Sequence, residues 1–311
     1  MTTNHSATCT GPTDVHSPRV FRPLPPPAPS HDQLGQRPNS SFKPTVSEHG
    51  SWLHTRPEST PANRLWACLT SGERERLLPR SELVSLKPGM QLMHADQVCT
   101  HVFFPCSATV SLILTTLEGK SCQVGMVGND GMVGVHGVIG GQRMPYEAVV
   151  RTAGTAQRIS VGAMVSECGR GSEGQDLFLR YSHALMAQMA YAVVCCQHHS
   201  VEQRTCRLLL QAFDAVGDEL HMTHELMAEC VGVRRESITG VAHRLHQDGV
   251  ISYSRGRILM SNRSALQSRS CECYRAVKQE LESVFQHDAL GASGQRRMGH
   301  QRSVGAHAAA N

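Results

Sequence analysis

Five polar side chains in one short stretch have the chemistry needed to bind nucleic acid. The stretch contains Arg234, Arg235, Glu236, Ser237 and Thr239. A guanidinium can donate to O6 and N7 of guanine, a carboxylate can accept from the amino group of cytosine, and hydroxyl groups can bond to bases or phosphates. Placed at the start of a helix that enters a major groove, these residue types can read a base sequence.

The surrounding spacing predicts the helix-turn-helix that would position them. Ala228 is small where two helices would cross closely, and Gly232 suits the turn because glycine tolerates a positive φ. The second helix then has an apolar stripe of Ile238, Val241 and Leu245. Because any antiparallel helix pair with a glycine turn shows a similar pattern, the helices alone do not decide the function.

A predicted β-hairpin follows the second helix directly. Residues 250–253 and 258–260 are β-prone, and the turn Ser254-Arg255-Gly256-Arg257 lies between them. A glycine between two such runs indicates a hairpin, so we predict a winged helix-turn-helix. Thr239, Arg244, Arg255 and Arg257 are assigned to phosphates, which position a protein without specifying a sequence. The alternative for each arginine is a solvated face.

Composition limits the class of protein more than it identifies a partner. The chain has 311 residues, enough for two domains with tails, and a formal net charge of +4. This excess only weakly indicates a polyanionic partner, so the local placement of arginine carries more weight. Residues 1–60 are rich in proline and polar residues, which favours a disordered tail, with a polyproline docking segment as the alternative.

The cysteines, 12 in number, raise the question of disulfides or a metal site. Residues 1–30 lack the apolar core of a secretory signal, and no run of about 18 apolar residues predicts a membrane span. We therefore expect a cytoplasmic chain with free thiols and no membrane partner. Neither adjacent Cys195 and Cys196 nor Cys271-x-Cys273 has a common zinc or iron–sulfur spacing, so no metal ligand is assigned.

Short β-prone runs follow a helix predicted near residues 63–78. They occupy residues 83–86, 91–93, 101–104, 109–116, 122–127, 148–152 and 156–159. This spacing predicts an antiparallel sandwich or barrel over residues 61–171 of an α+β chain. Glycine recurs every three residues from Gly125 to Gly140, which we interpret as turns and close backbone packing around a short helical turn.

A long helix with two apolar stripes is predicted for residues 172–199. One stripe, broken by Gln188, includes Phe178 and Tyr181 and can cover the barrel. The other has coiled-coil spacing. Its candidate dimer contacts are Leu179, Met186, Met189 and Val193.

The predicted domain order follows from these elements. A disordered tail (1–60) precedes the barrel (61–171), the dimerisation helix (172–200) and the winged helix-turn-helix (201–265). Residues 266–311 are predicted to form a helical extension and a disordered tail, with disorder beginning near Asp288.

This arrangement resembles the Crp/Fnr family of bacterial transcription regulators. The similarity covers about residues 63–262 and is strongest at THELMAECVG (223–232) and RRESIT (234–239); it is weaker through VGNDGMVG (127–134). The resemblance implies a jelly-roll barrel of the cyclic-nucleotide-binding type, a dimerisation helix and a C-terminal DNA-binding domain. It also implies a homodimer that binds a two-fold symmetric promoter site in double-stranded DNA and contacts RNA polymerase.

Two positions carry over from catabolite-activator-type members of that family. Arg235 and Glu236 match their base-reading arginine and glutamate, and Arg234 is assigned to a base or a phosphate. Gly240 stands where those members have a second reading arginine. The half-site of those members is therefore not transferred to this chain.

The sensor end resembles cyclic-AMP binders less well. The effector pocket implied by the resemblance contains Gly134, Val135, Tyr146 and Glu147. Where cyclic-AMP binders have a Gly-Glu pair this chain has Gly134-Val135, and it lacks their Arg-Ser pair near Tyr146. Without those groups a cyclic phosphate should bind poorly, so no cofactor is predicted.

Other sensing mechanisms have little support in the chain. Only Cys9 lies in the first 60 residues, against the N-terminal cysteine group of iron–sulfur members. Haem bound through His136 or another histidine stays open, as does a thiol switch at Cys195, Cys196 or Cys230.

The leading hypothesis is a homodimeric, sequence-specific transcription regulator with an effector-sensing or degenerate barrel. The alternative is a small-molecule, redox or haem sensor with a weakened DNA-binding unit, for which Gly240 is the only support. An enzyme is not expected, because no nucleophile–base pair with motif spacing, HExxH motif or Walker loop occurs.

Overall fold

Antiparallel strands build the first part of the fold in the structure, a computed structural model that describes residues 63–141 and 143–298. The strands are β1 (Ser81–Leu86), β2 (Gln91–Met93), β3 (His101–Pro105), β4 (Thr109–Thr115), β5 (Ser121–Val127), β6 (Glu147–Thr152) and β7 (Gly154–Ser160). All seven predicted runs are confirmed within two residues at each end. The predicted tail over residues 1–60 lies outside the described residues.

These strands form two sheets with a shared core. One sheet has the order β1-β7-β3 and the other β2-β6-β4-β5, with antiparallel pairing throughout. Val84, Phe104, Leu112 and Val150 are fully buried between them. The two-sheet antiparallel architecture confirms the predicted α+β fold with a jelly-roll barrel.

Short helices connect and flank the sheets. They are α1 (Arg64–Ala67), α2 (Ser71–Leu77), α3 (Val135–Val138) and α4 (Val161–Glu167). The single helix predicted near residues 63–78 is therefore interrupted. Thr70 caps α2 by accepting from Glu73 N–H at 3.2 Å, while the Glu73 carboxylate accepts from Thr70 N–H at 3.0 Å. This reciprocal capping box starts a new helix after α1.

The long helix α5 (Glu173–His198) lies on the barrel with its first stripe buried. The Tyr181 hydroxyl donates to the Met132 carbonyl at 3.0 Å, and a Cβ at Gly131 would lie 2.5 Å from that hydroxyl. The glycine at 131 is therefore required by close packing.

Gln188, which interrupts the apolar stripe in sequence, has a structural role on edge strand β5. Its side chain is buried, accepts from Met126 N–H at 3.0 Å and donates to the Met126 carbonyl at 3.2 Å. The amide thus completes the hydrogen bonding of a strand edge that has no further strand beside it.

A second group of elements follows α5. It consists of α6 (Val201–Val216), β8 (Glu219–His221), α7 (His224–Val231), α8 (Arg235–Gln247), β9 (Ile251–Ser254), β10 (Arg257–Met260) and α9 (Arg263–Arg269). The strands form a sheet of order β8-β10-β9, and a hydrophobic cluster separate from the barrel core fills this part. β8 was not predicted.

The last described helix, α10 (Cys273–Met298), corrects one expectation. Disorder was expected from near Asp288, but the helix continues to Met298, since the added residues include good helix formers such as alanine, glutamine and arginine. Val284 of α10 is buried in the barrel core, and Arg64 pairs with Glu282 at 2.8 Å.

The predicted domain boundaries stay a prediction. Across residues 63–141 and 143–298, no helix is long and apolar enough to cross a membrane.

We expect Gln188→Ala to lower the free energy of unfolding by about 1–3 kcal/mol, because it leaves partly buried backbone groups of Met126 without these partners. Urea denaturation of the full chain measures this. Gln197→Ala, at an exposed position of the same helix, is the control and should change the value by less than about 0.5 kcal/mol. Equal values for the two variants would contradict the assigned role of Gln188.

Candidate nucleic-acid interface

The turn between α7 and α8 is built by a glycine with a left-handed backbone. Thr223 caps α7 by accepting from Leu226 N–H at 3.2 Å. At the other end Gly232 has φ +71°, and its N–H donates to the Ala228 carbonyl at 2.8 Å. This geometry ends α7 and redirects the chain into α8, as predicted from the spacing.

Helix α8 is held by its apolar stripe and presents its polar side outward. Ile238, Val241 and Leu245 are at most 2% exposed. The predicted contact residues on the other side are exposed, namely Arg234, Arg235, Glu236, Ser237, Thr239 and Arg244. The structure thus brings the candidate base-reading and phosphate-binding groups onto one solvent-facing surface, which we call the reading surface.

The wing is the β-hairpin of β9 and β10, and its turn contains two residues with positive φ. Arg255 has φ +48° and Gly256 has φ +79°, a pair of positive values typical of a tight hairpin turn. A left-handed conformation is unfavourable for a residue with a Cβ, so Arg255 is kept at some energetic cost. Arg255 is exposed at the tip of the wing.

Several groups of the reading surface and the wing already have partners within the chain. Arg244 pairs with Glu202 at 3.2 Å, and Arg257 donates to Glu219 at 2.7 Å, which lowers the pKa of that carboxyl. The Thr239 hydroxyl donates to the Arg235 carbonyl and lies 3.1 Å from His224 Nδ1. Exposed ion pairs contribute little to stability, so a phosphate can replace either glutamate.

Known proteins are similar to this chain in one domain and in the overall fold. Residues 203–269 match the model of the Crp-like helix-turn-helix domain. The structure of FixK2 from Bradyrhizobium japonicum aligns with a TM-score of 0.54 and 12% identity, over 61% of this chain and 98% of that chain. TTHB099, a CRP-family transcriptional regulator from Thermus thermophilus, aligns with a TM-score of 0.51 and 16% identity, over 60% and 95% respectively.

Residues 203–269 are a Crp-like helix-turn-helix domain, and the chain has the fold of Crp/Fnr regulators. The structural likenesses establish the fold, and the matched domain establishes a DNA-binding transcription regulator rather than an enzyme. The chain has no match among the curated proteins.

Gly240 leaves open space on the reading surface. A Cβ added there would meet only Arg244 Nη1, at 3.8 Å. The packing of the described residues around position 240 therefore does not require a glycine. Catabolite-activator-type members carry an arginine here by resemblance, and packing around Gly240 does not explain why this chain has a glycine instead.

The four predicted effector residues lie on α3 and β6 and their flanks. Val135 and Tyr146 are buried in the barrel core, and a Cβ at Gly134 would lie 2.5 Å from Met93 Cε. Glu147 is partly buried at the start of β6. The Tyr146 hydroxyl lies 3.1 Å from His136 Nδ1, and this hydrogen bond connects the start of β6 to α3.

Burial also determines the charge of the Tyr146 and His136 side chains. It raises the pKa of Tyr146 and lowers the pKa of His136. Both groups are therefore uncharged near neutral pH. Neither supplies a fixed positive charge for a cyclic phosphate.

The sequence did not predict a contact between the barrel and the winged helix-turn-helix, which we call the reading domain. Arg151 of β6 is 7% exposed, donates to Ser111 Oγ at 3.0 Å and pairs with Glu229 of α7 at 3.3 Å. Cys230 of α7 is buried beside Ser111, with sulfur and oxygen 4.0 Å apart. The only sequence signal was an arginine inside a predicted strand, which does not identify its partner.

We expect alanine substitutions at two glycines of the reading motif to change stability in opposite directions. Gly240→Ala should stabilise the chain by about 0.5–1 kcal/mol, because glycine is costly inside a helix and the added methyl meets open space. Gly232→Ala should destabilise it by about 1–2 kcal/mol, because alanine resists a positive φ.

Thermal unfolding of the full-length variants, recorded side by side with the unmodified chain, measures both changes. A loss of stability in Gly240→Ala would show that this position is not open.

Proposed function

We propose that this regulator acts as a homodimer that reads a two-fold symmetric promoter site with the reading surface of each copy. The observation that carries the proposal is the placement of Arg235 and Glu236. Both are exposed at the start of α8. The opposite side of this helix packs into the core through its buried apolar stripe. An arginine and a glutamate so placed can recognise guanine and cytosine edges in the major groove.

The remaining basic groups fit a backbone-positioning role. Arg244, Arg255 and Arg257 lie at the end of α8 and on the wing, and all three are exposed. Arginines at such positions would hold the duplex by its phosphates and make the affinity depend on salt. Arg234, Ser237 and Thr239 complete the proposed contact set.

Dimerisation is supported by the second stripe of α5. Leu179, Met186 and Val193 recur every seven residues and are 49%, 63% and 60% exposed, while Met189 is partly buried against the barrel. Leu179, Met186 and Val193 stay exposed although α10 packs along the same helix. Large apolar side chains at heptad spacing on a helix favour a partner helix, and a second copy presents the same surface.

The barrel is proposed to act without cyclic AMP. Apolar atoms such as Met93 Cε fill the space beside Gly134, and Val135 stands where cyclic-AMP binders have a glutamate. The Arg151–Glu229 contact offers a route by which a change in the barrel sheet would reach α7. Contact with RNA polymerase is proposed from the family resemblance.

The sensor alternative, with a weakened DNA-binding unit, has only Gly240 in its favour. Both candidate base-reading residues, Arg235 and Glu236, are present and exposed, which favours the regulator. The first experiment therefore tests sequence preference directly.

We expect the full chain to enrich a defined site from random-sequence duplexes. Arg235→Ala with Glu236→Ala should weaken binding to that site by about 5- to 150-fold for each lost base contact, with a smaller effect on scrambled DNA. Arg235→Lys keeps the charge but loses the two-pronged geometry, so it should lose specificity more than overall affinity.

Arg170→Ala, an exposed arginine in the barrel part, is the matched control and should bind as the unmodified chain does. Fluorescence anisotropy at several salt concentrations measures all four proteins. Enrichment of no sequence, or full binding by the double variant, would contradict the proposed reading role.

We expect Met186→Glu to convert the dimer into monomers, because it places two like charges in an apolar helix pair. Sedimentation equilibrium of the full chain gives the mass. The control is Val165→Glu, an exposed apolar position on α4 with 43% exposure, which should remain dimeric. A monomeric unmodified chain, or equal masses for both variants, would exclude the α5 interface.

A further inference from the structure

The joint between α5 and α6 carries a cluster of metal-binding side chains that the DNA-binding function does not use. Cys195 lies in the last turn of α5, and His199 directly follows that helix. Cys271 and Cys273 lie where the chain passes from α9 to α10. The two pairs meet although Cys195 and Cys271 are 76 residues apart in sequence.

The distances within this cluster fit one small cation. Cys195 Sγ lies 3.5 Å from Cys271 Sγ, and Cys273 Sγ lies 3.6 Å from His199 Nδ1. All four ligand atoms lie within 4.8 Å of one another. Zinc bonds of about 2.3 Å to sulfur and 2.0 Å to nitrogen place tetrahedral ligand atoms roughly 3.5–3.8 Å apart. Only small side-chain movements would therefore complete the coordination.

The histidine is oriented for this role by a second group. His199 Nε2 lies 3.2 Å from the Glu272 carboxylate, so that nitrogen donates and leaves the lone pair of Nδ1 facing the sulfurs. A carboxylate behind a histidine is the usual outer partner of a metal ligand, because it sets the tautomer and holds the ring.

Burial separates the cluster from ordinary surface thiols. The three cysteines are at most 2% exposed, and together they form a small cluster of their own beside Tyr191. The neighbouring Cys196 is exposed. Four convergent ligands leave no position open for a substrate, which is typical of a structural site and not a catalytic one.

We propose that Cys195, His199, Cys271 and Cys273 bind one Zn²⁺ ion in a closed tetrahedral site. An iron–sulfur cluster fits less well, because its inorganic sulfides and several irons need more room than ligand atoms within 4.8 Å of one another leave. The ion ties the end of α5 to the start of α10 across the joint from which α6 leads into the reading domain.

This site gives α10 a defined role. The ion anchors its first turn beside His199, while Val284 further along packs into the barrel core. Zinc therefore limits how far α6 can swing relative to α5. Since binding occurs only in the folded chain, the metal also stabilises that chain.

The test measures zinc directly on the full chain, purified under anaerobic conditions without a metal-affinity step. Elemental analysis should give about one zinc per chain. After removal of the metal, Co²⁺ should produce the intense visible bands of a tetrahedral thiolate site, and Zn²⁺ should abolish them. This readout requires no substitution, so it does not depend on the folding of any variant.

Variants then assign the ligands. Cys195→Ser and Cys273→Ser should each weaken zinc binding by more than about 100-fold, and Glu272→Gln by about 10- to 100-fold, in competition with a chromophoric chelator. Cys196→Ser, the adjacent exposed cysteine, is the matched control and should bind zinc as the unmodified chain does.

Three results would overturn the proposal. One is a folded, fully reduced chain that takes up neither Zn²⁺ nor Co²⁺. Another is equal zinc affinity for Cys195→Ser and Cys196→Ser. The third is a Cys195–Cys271 disulfide, found by mass spectrometry after alkylation of the anaerobically purified chain, since those sulfurs would then not be thiolate ligands.

Discussion

The close contact between Tyr181 and the backbone at Gly131 governs the rest of the architecture. It seats α5 on the barrel with a hydrogen bond to Met132 and leaves no room for a side chain at position 131. Because this side of α5 is fixed, α10 must pack on another side, and the heptad stripe faces solvent. The helix therefore has separate surfaces for the barrel, for α10 and for a proposed second copy.

The position of the winged helix-turn-helix depends on the same contact between α5 and the barrel. Helix α6 continues from the end of α5, and α7 rests on the barrel through Arg151 and Glu229. A buried arginine is costly unless it is hydrogen-bonded, and here Ser111 and Glu229 both satisfy it. Separation of α7 from the barrel would leave this charge without one partner. The contact thus joins α7 to the β4–β6 pair of the barrel.

Much of the fold was predictable because it follows from neighbouring residues. The short β-prone runs of the barrel, the stripe of Ile238, Val241 and Leu245, and the positive φ needed at Gly232 are all local properties. The reading-surface residues could be named for the same reason, since they occupy the outward side of a strongly patterned helix. Their partners Glu202 and Glu219 could not, because those glutamates come from α6 and β8.

The sequence by itself determined the element order, the helix-turn-helix with its wing and the side of α8 that faces outward. Only the tertiary structure decided that Gln188 completes a strand edge, that Arg151 meets Glu229, and that Cys195 and His199 converge with Cys271 and Cys273. The physical reason is that propensity and periodicity act between residues a few positions apart. Contacts between residues 62 to 78 positions apart depend instead on which helix faces pack together.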